Sequence, residues 1–229
     1  MVTAHPDDVD FGMAGTVARW TAAGVVVSYC IVTDGDAGGF DPSISRADMA
    51  LLRQREQRAA GAVLGVDEVV FLSYPDGRVA PTLELRRDIS RVIRRLKPTV
   101  VLTQSPVRNF ERIFASHPDH LAVGEATMCA VYPDARNQFA HPELLEEGWP
   151  EHSVQEVWIA GGPSENVFVD VTDTFERKLQ ALACHLSQIS HHDPAAFEER
   201  LRSWGQAKAA AAGWPQGRMA EGFQRVNTG

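Results

Sequence analysis

Met1-Val2-Thr3-Ala4-His5-Pro6-Asp7-Asp8 (MVTAHPDD) opens the chain, and its reading decides the fold. A short apolar lead runs into an imidazole and two carboxylates, and mostly small apolar residues follow from Gly12 to Ala18 in a helical pattern. A strand that ends in His and Asp before a helix starts delivers polar groups to the mouth of a sheet. In open α/β folds that mouth is where ligands bind. His and Asp together suit a divalent transition metal, and a spare Asp beside them suits a general base.

Ser116-His117-Pro118-Asp119-His120 has the same chemical character and again lies between an apolar run and a helical one. His117 and His120 share one face if a helix starts there. The two segments read as two halves of one metal site. His5, Asp8 and His120 would supply two nitrogens and one oxygen, leaving a fourth position open for water whose pKa the metal lowers. Asp7 could take the second proton of that water. His117 is left over, placed to polarise a carbonyl or to protonate a leaving amine. Either segment alone is as well explained by turn chemistry; two at matching positions favour the metal site.

The rest of the chain alternates. Val25–Thr33, Val69–Leu72, Thr99–Thr103, 157–159 and 167–171 read as strands, and 48–65, 83–96 and 120–131 as helices between them. Thr172–Ile189 reads as one helix, and Asp193-Pro194 caps another that runs to about Ala212. This order implies a Rossmann-like α/β fold, a mostly parallel sheet with helices on both faces. Residues 1–229 fit one domain, with a loop or lid expected at 133–154, where Pro133, Pro142, Gly148 and Pro150 interrupt any pattern.

A hydrophobic fraction of 44% and a charged fraction of 23% are those of an ordinary globular protein, without a membrane-spanning run. A net charge of −8 argues against a nucleic-acid binder. Cys30, Cys129 and Cys184 form no CxxC and read as buried reduced thiols, which implies a cytoplasmic location. A homo-oligomer is left open. Asp170 and His185 read as structural, and His141, His152, His191 and His192 as solvated loop residues.

The paired HPDD and HPDH resemble the LmbE-like (PIG-L-like) zinc-dependent N-acetylglucosaminyl deacetylases. Thr33-Asp34-Gly35-Asp36-Ala37-Gly38-Gly39, Arg53-x-x-Glu56 leading to Leu64-Gly65, Pro75-Asp76-Gly77, Val169-Asp170-Val171-Thr172 and His185-Leu186-Ser187-Gln188 extend the resemblance over nearly the whole chain. It implies zinc on His5, Asp8 and His120, with ferrous iron as an alternative ion. It implies Asp7 as general base and His117 as oxyanion stabiliser or acid, with Asp119 orienting His117. It implies sugar contacts from Asp36, which stands where the family often has Glu, and from Arg53 and Asp76. The four-residue first strand would need residues upstream of Met1 to be full, so the chain is expected to begin later than its relatives. The implied reaction removes acetate from an N-acetylated amino sugar. Cleavage of a larger amide, as in mycothiol-conjugate amidases, and a metal-free binding protein on the same fold are the alternatives. Metal content separates the last from the first two.

Overall fold

A computed structural model describes all 229 residues. Strands β1 (Val2–Thr3), β2 (Ser28–Thr33), β3 (Glu68–Tyr74), β4 (Val100–Gln104), β5 (Glu156–Ala160), β6 (Val167–Asp170) and β7 (Ala220–Asn227) form one sheet of order β3-β2-β1-β4-β5-β7-β6. The first five run parallel, and β7 lies antiparallel between β5 and β6. The connecting helices are α1 (Asp8–Gly12), α2 (Ala14–Ala22), α3 (Arg46–Leu64), α4 (Leu83–Leu96), α5 (Pro118–Cys129), α6 (Glu143–Glu146), α7 (Phe175–Leu182), α8 (Leu186–Ile189) and α9 (Pro194–Ala211). None is long and apolar enough to cross a membrane.

The expected α/β sheet is present, and its topology places the site. From β1 the chain winds outward through β2 and β3, then returns to β4 on the other side of β1. The strand order therefore reverses between β1 and β4, and ligands of open α/β sheets bind at such a point. Both histidine turns leave the sheet there. Gln104, at the end of β4, accepts the Ala4 N–H through Oε1 at 2.9 Å and clamps the two strand ends together.

Helices cover both faces. Leu85, Ile89 and Ile93 of α4 and Val123 and Ala126 of α5 pack on Val2, Ala4, Cys30 and Val32. Ala14, Val17 and Ala18 of α2 and Ala60 and Leu64 of α3 cover Tyr29, Ile31 and Leu102 on the other side, with Phe223 of β7. Each of the leucines, isoleucines and valines among them contributes about 1.5–3 kcal/mol when fully buried. Gly124 lets α5 come close: a Cβ there would stand 2.4 Å from the Gln104 carbonyl oxygen and 2.8 Å from the Pro106 nitrogen. The helix that carries His120 is thus seated directly on the end of β4.

Several boundaries differ from the sequence expectation. Strand β2 begins at Ser28, and Val25 and Val26 are exposed. The helix expected over 172–189 is broken at Ala183–His185, because the buried His185 turns in to meet Asp10 at 2.8 Å. Strand β7 was not expected. Its Glu221 accepts from the Gly15 and Thr16 N–H groups at the start of α2 and pairs with Lys178 at 2.6 Å. Of the cysteines, Cys30 alone is fully buried.

Residues 133–154 carry α6 and otherwise irregular backbone, held against the rest of the fold by several side chains. Arg94 is fully buried and donates to the carbonyls of Asp134, Ala135, Asn137 and Ala140. Arg86 forms a bidentate pair with Asp134. His141 and His152, expected in solvent, are half-buried against Asp134 and the Pro98 carbonyl. These contacts tie the segment to α4 and the loop after it.

Candidate metal and hydrolytic site

His5 follows β1 directly, and the turn to α1 is built around Asp7. Asp7 caps α1 with φ of 92°, in the left-handed region, where Asp is among the residues tolerated. Such a backbone costs on the order of 1–3 kcal/mol and persists only when its surroundings fix it. Arg53 donates to the Pro6 carbonyl at 2.6 Å and to the Asp7 carboxylate at 3.0 Å. Gln57 accepts the Asp7 N–H at 2.7 Å and donates on to Asp10, which also holds His185. The glycine-rich turn makes room for the guanidinium. A Cβ at Gly35 would meet Arg53 Nη1 at 2.4 Å, and one at Gly38 would meet it at 2.2 Å.

The second turn is relaxed. His117 precedes α5, with Pro118 in its first turn, and its Nδ1 accepts the Asp119 N–H at 3.1 Å as a helix cap. A ring nitrogen that accepts a backbone proton leaves the imidazole proton on Nε2. His117 is therefore a neutral Nε2–H donor. Burial, then the charges of His5 and His120, push its pKa down, and the start of a helix disfavours a cation for the same reason.

Three donors converge. His5 Nδ1 lies 3.2 Å from His120 Nε2 and 3.3 Å from Asp8 Oδ2, and His120 Nε2 lies 3.0 Å from Asp8 Oδ1. Ligand atoms around a tetrahedral zinc, with bonds of about 2.0–2.2 Å, stand about 3.3–3.6 Å apart. The observed spacing is within a few tenths of an ångström of that. The far nitrogens are oriented: His120 Nδ1 faces the Ala115 carbonyl at 3.3 Å, and His5 Nε2 faces Asp76 at 3.1 Å and Asp119 at 3.3 Å. A carboxylate behind a ligating imidazole fixes its ring and raises its basicity. His117 reaches the same neighbourhood, with a nitrogen within 4.8 Å of those of His5 and His120.

The electrostatics also call for a cation. Asp7, Asp8, Asp76 and Asp119 surround the site, against the single guanidinium of Arg53. Burial alone would lower the pKa of His5, but Asp8, Asp119 and Asp76 outweigh it and push it up to about 12. Burial would raise Asp8, yet His120 and His5 hold it well below the carboxylate range. Asp7 goes the other way: burial pushes it up to about 6 against the pull of Arg53. A carboxylate of that pKa can both take and return a proton near neutral pH.

Three of the expected site residues have their side chains engaged within the protein. The Asp119 carboxylate does not orient His117; it accepts from the Gly77 and Val79 N–H groups at 2.7 and 3.2 Å and faces His5. Asp76 does not point outward to a sugar, since its oxygens face His5 and the Ala37 N–H. Arg53 is 4% exposed and holds the Asp7 turn. Asp36 sits at the rim, engaged by Arg46 and by the Asp76 N–H. Glu56 instead grips the Ser187 N–H and hydroxyl, which explains the His185-Leu186-Ser187-Gln188 motif as a dock for α8 on α3.

Gln57, Asp10 and Gln104 were not singled out in the sequence. Gln57 had a signal: with Arg53 and Glu56 it forms a polar stripe at helical spacing, on a face that also carries Ala60 and Leu64. A polar stripe continuing an apolar one marks a helix face turned toward a buried polar site.

The family model described as PIG-L, GlcNAc-PI de-N-acetylase, matches residues 1–131. The chain is 32% identical to the diacetylchitobiose deacetylase of Thermococcus kodakarensis over 98% of its length and 81% of that protein's. It is 29% identical to a probable N-acetyl-alpha-D-glucosaminyl L-malate deacetylase 2 of Bacillus anthracis, over 83% of this chain and 80% of that one. Among solved structures, the N,N'-diacetylchitobiose deacetylase of Pyrococcus horikoshii superposes with a TM-score of 0.90 at 30% identity, covering 99% of this chain and 82% of that one.

Proposed function

The chain belongs to the PIG-L (GlcNAc-PI de-N-acetylase) family, and on that premise we propose that it is a zinc-dependent hydrolase that removes the N-acetyl group from an N-acetylglucosamine-type amino sugar or glycoconjugate. The observation that carries this reading is the close triad of His5, Asp8 and His120 with Asp7 beside it. Two nitrogens and one carboxylate form a ligand set that leaves a position open. An ion held there supplies Lewis acidity to water and to the acetyl carbonyl.

The chain's own groups do the rest. Asp7 accepts a proton from the attacking water as its oxygen bonds to the carbonyl carbon. The Nε2–H of His117 donates to the carbonyl oxygen as negative charge grows there, the task of an oxyanion donor. Asp7 then hands its proton to the nitrogen as the C–N bond breaks. Acetic acid and a free amine leave, the acid losing its proton to solvent to become acetate, and Asp7 is again a carboxylate. Arg53 and Gln57 hold Asp7 in its left-handed turn throughout. Asp119 and Asp76 hold His5. The three unpaired cysteines fit a reducing, cytoplasmic compartment.

The test is acetate release from N-acetylglucosamine and N,N'-diacetylchitobiose by protein whose metal has been counted. The reading expects one zinc per chain and activity that a chelator removes and zinc restores. Turnover unaffected by complete metal removal would sink it.

A further inference from the structure

We propose that His185, at the break between α7 and α8, is a positioning residue for Asp7, acting through Asp10 and Gln57 on the backbone of the His5–Asp8 turn; the inference rests on the reading of Asp7 as general base above. His185 Nε2 lies 2.8 Å from Asp10 Oδ2. The same oxygen accepts from Gln57 Nε2 at 2.8 Å, and Gln57 Oε1 accepts the Asp7 N–H at 2.7 Å. His185, Asp10 and Gln57 are each 0% exposed, so they act on the reaction only through other groups.

The line has a direction, which the amide of Gln57 sets. An amide has an accepting end and a donating end. Asp7 offers an N–H and needs the accepting end. The Asp10 carboxylate takes the donating end, with the His185 ring beside it on the same oxygen. Turned over, Gln57 would aim its NH2 at the Asp7 N–H and its oxygen at the carboxylate, two repulsive contacts in a buried site. His185 holds the carboxylate on which that choice depends. Its own place is built: the chain leaves the helix at Ala183–His185, and Glu56 grips the Ser187 N–H and hydroxyl at 2.8 and 2.6 Å. Helix α3 thus holds the Asp7 carboxylate with Arg53, the Asp7 N–H with Gln57 and the His185 segment with Glu56.

A buried chain of charged and polar groups is weak support for stability. What this one fixes is the Asp7 backbone, whose φ of 92° persists only while its contacts hold it. Arg53 grips the Asp7 carboxylate and the Pro6 carbonyl, and the Asp7 N–H is left to Gln57. A relaxed turn would carry the carboxylate away from the attacking water. Base catalysis needs a reach of about 2.6–3.2 Å, and a misplacement of about 1 Å costs about 10²-fold.

The experiment compares His185→Gln with His185→Asn in the zinc-loaded full chain. Both carry an amide, and only Gln is long enough to set its NH2 where Nε2 stood. His185→Asn should lower kcat for N,N'-diacetylchitobiose about 10- to 100-fold, with KM within about twofold and zinc content unchanged, and His185→Gln should recover most of the loss. Gln57→Leu should lose as much as His185→Asn, and the double variant no more than either alone, because the groups act as one line. Hydrogen exchange at the Asp7 amide, followed by NMR, reads the line without turnover: slow in wild type and His185→Gln, faster in His185→Asn and Gln57→Leu. Should His185→Asn not fold, His185→Leu replaces it in every comparison. Equal kcat in the Asn and Gln variants, additive losses in the double variant, or unchanged exchange at Asp7 in His185→Asn would overturn the proposal. So would loss of zinc in His185→Asn, since the line would then serve the ligand set rather than the base. If wild type deacetylates nothing, yet exchange at Asp7 follows His185 as stated, the general-base reading fails and the positioning line stands.

Discussion

The turns His5-Pro6-Asp7-Asp8 and His117-Pro118-Asp119-His120 share three residues in order and leave adjacent strands at the same end of the sheet, yet their central aspartates do opposite things. Asp7 is itself the cap of its helix, in a left-handed backbone, with its carboxylate beside the ligand set and a pKa raised to about 6 by burial. Asp119 lies inside the first turn of a regular helix, and its carboxylate turns away to two backbone N–H groups and to the back of His5. The backbone on which the chain enters the helix decides which way each aspartate faces. The strained entry needs Arg53 and Gln57 to hold it; the relaxed entry needs only His117 as a cap.

The largest effect that tests this contrast is His120→Ala. Loss of one of three protein ligands should reduce bound zinc to trace levels and activity to background, with the fold intact by circular dichroism. Stoichiometric zinc in that variant would remove His120 from the ligand set. Asp7→Asn should keep the metal and lower kcat about 10²- to 10⁴-fold, the span of general-base loss. Should that variant release zinc instead, Asp7 and Asp8 have exchanged roles.

His117→Ala should lower kcat about 10²- to 10³-fold, as removal of an oxyanion donor does, with zinc content unchanged. It also deletes a helix cap, at about 1 kcal/mol. His117→Asn keeps an acceptor for the Asp119 N–H, so it should recover the thermal midpoint without recovering turnover. Recovery of both would make His117 a structural residue only.

Asp119→Asn sharpens the comparison from the other side. It should weaken zinc about 10- to 100-fold in a chelator competition, the usual effect of losing a partner behind a metal-bound imidazole. Turnover at saturating zinc should stay near wild type. A collapse of kcat with full metal occupancy would place Asp119 in the chemistry after all. The smallest effect is expected from Gly124→Ala, where the new methyl group meets backbone. It should cost about 1–3 kcal/mol in denaturant unfolding through displacement of α5.

What the sequence shows and what it hides separate along the same line. The residue types at the two turns, and their place after strands, were readable because each turn is a local signal. The positions of their carboxylates were not. Asp119 faces Gly77 and Val79, and Asp76 faces His5, through contacts that no spacing in one segment encodes. Arg53 and Glu56 stand three apart on one helix, and that spacing does not say where either side chain goes. In the fold that face is buried, and the two groups part company, one to Asp7 and one to Ser187. Strand β7 was hidden for another reason. Ala220–Asn227 has a glycine near its centre and only Phe223 as a large buried apolar residue, and its existence depends on β5 and β6 flanking it.

That strand also constrains the order of events as the polypeptide is made. Glu221 closes hydrogen bonds with Gly15 and Thr16, 206 and 205 residues earlier, and so ties down the start of α2, the second helix after the His5–Asp8 turn. Contacts across such separations form late, because chain closure must precede any reward from them. A nascent chain can build β1 through β4 and bring the two histidine turns together while α2 still lacks its Glu221 anchor. The half of the sheet that carries both histidine turns thus completes its packing only when the last strand slots between β5 and β6.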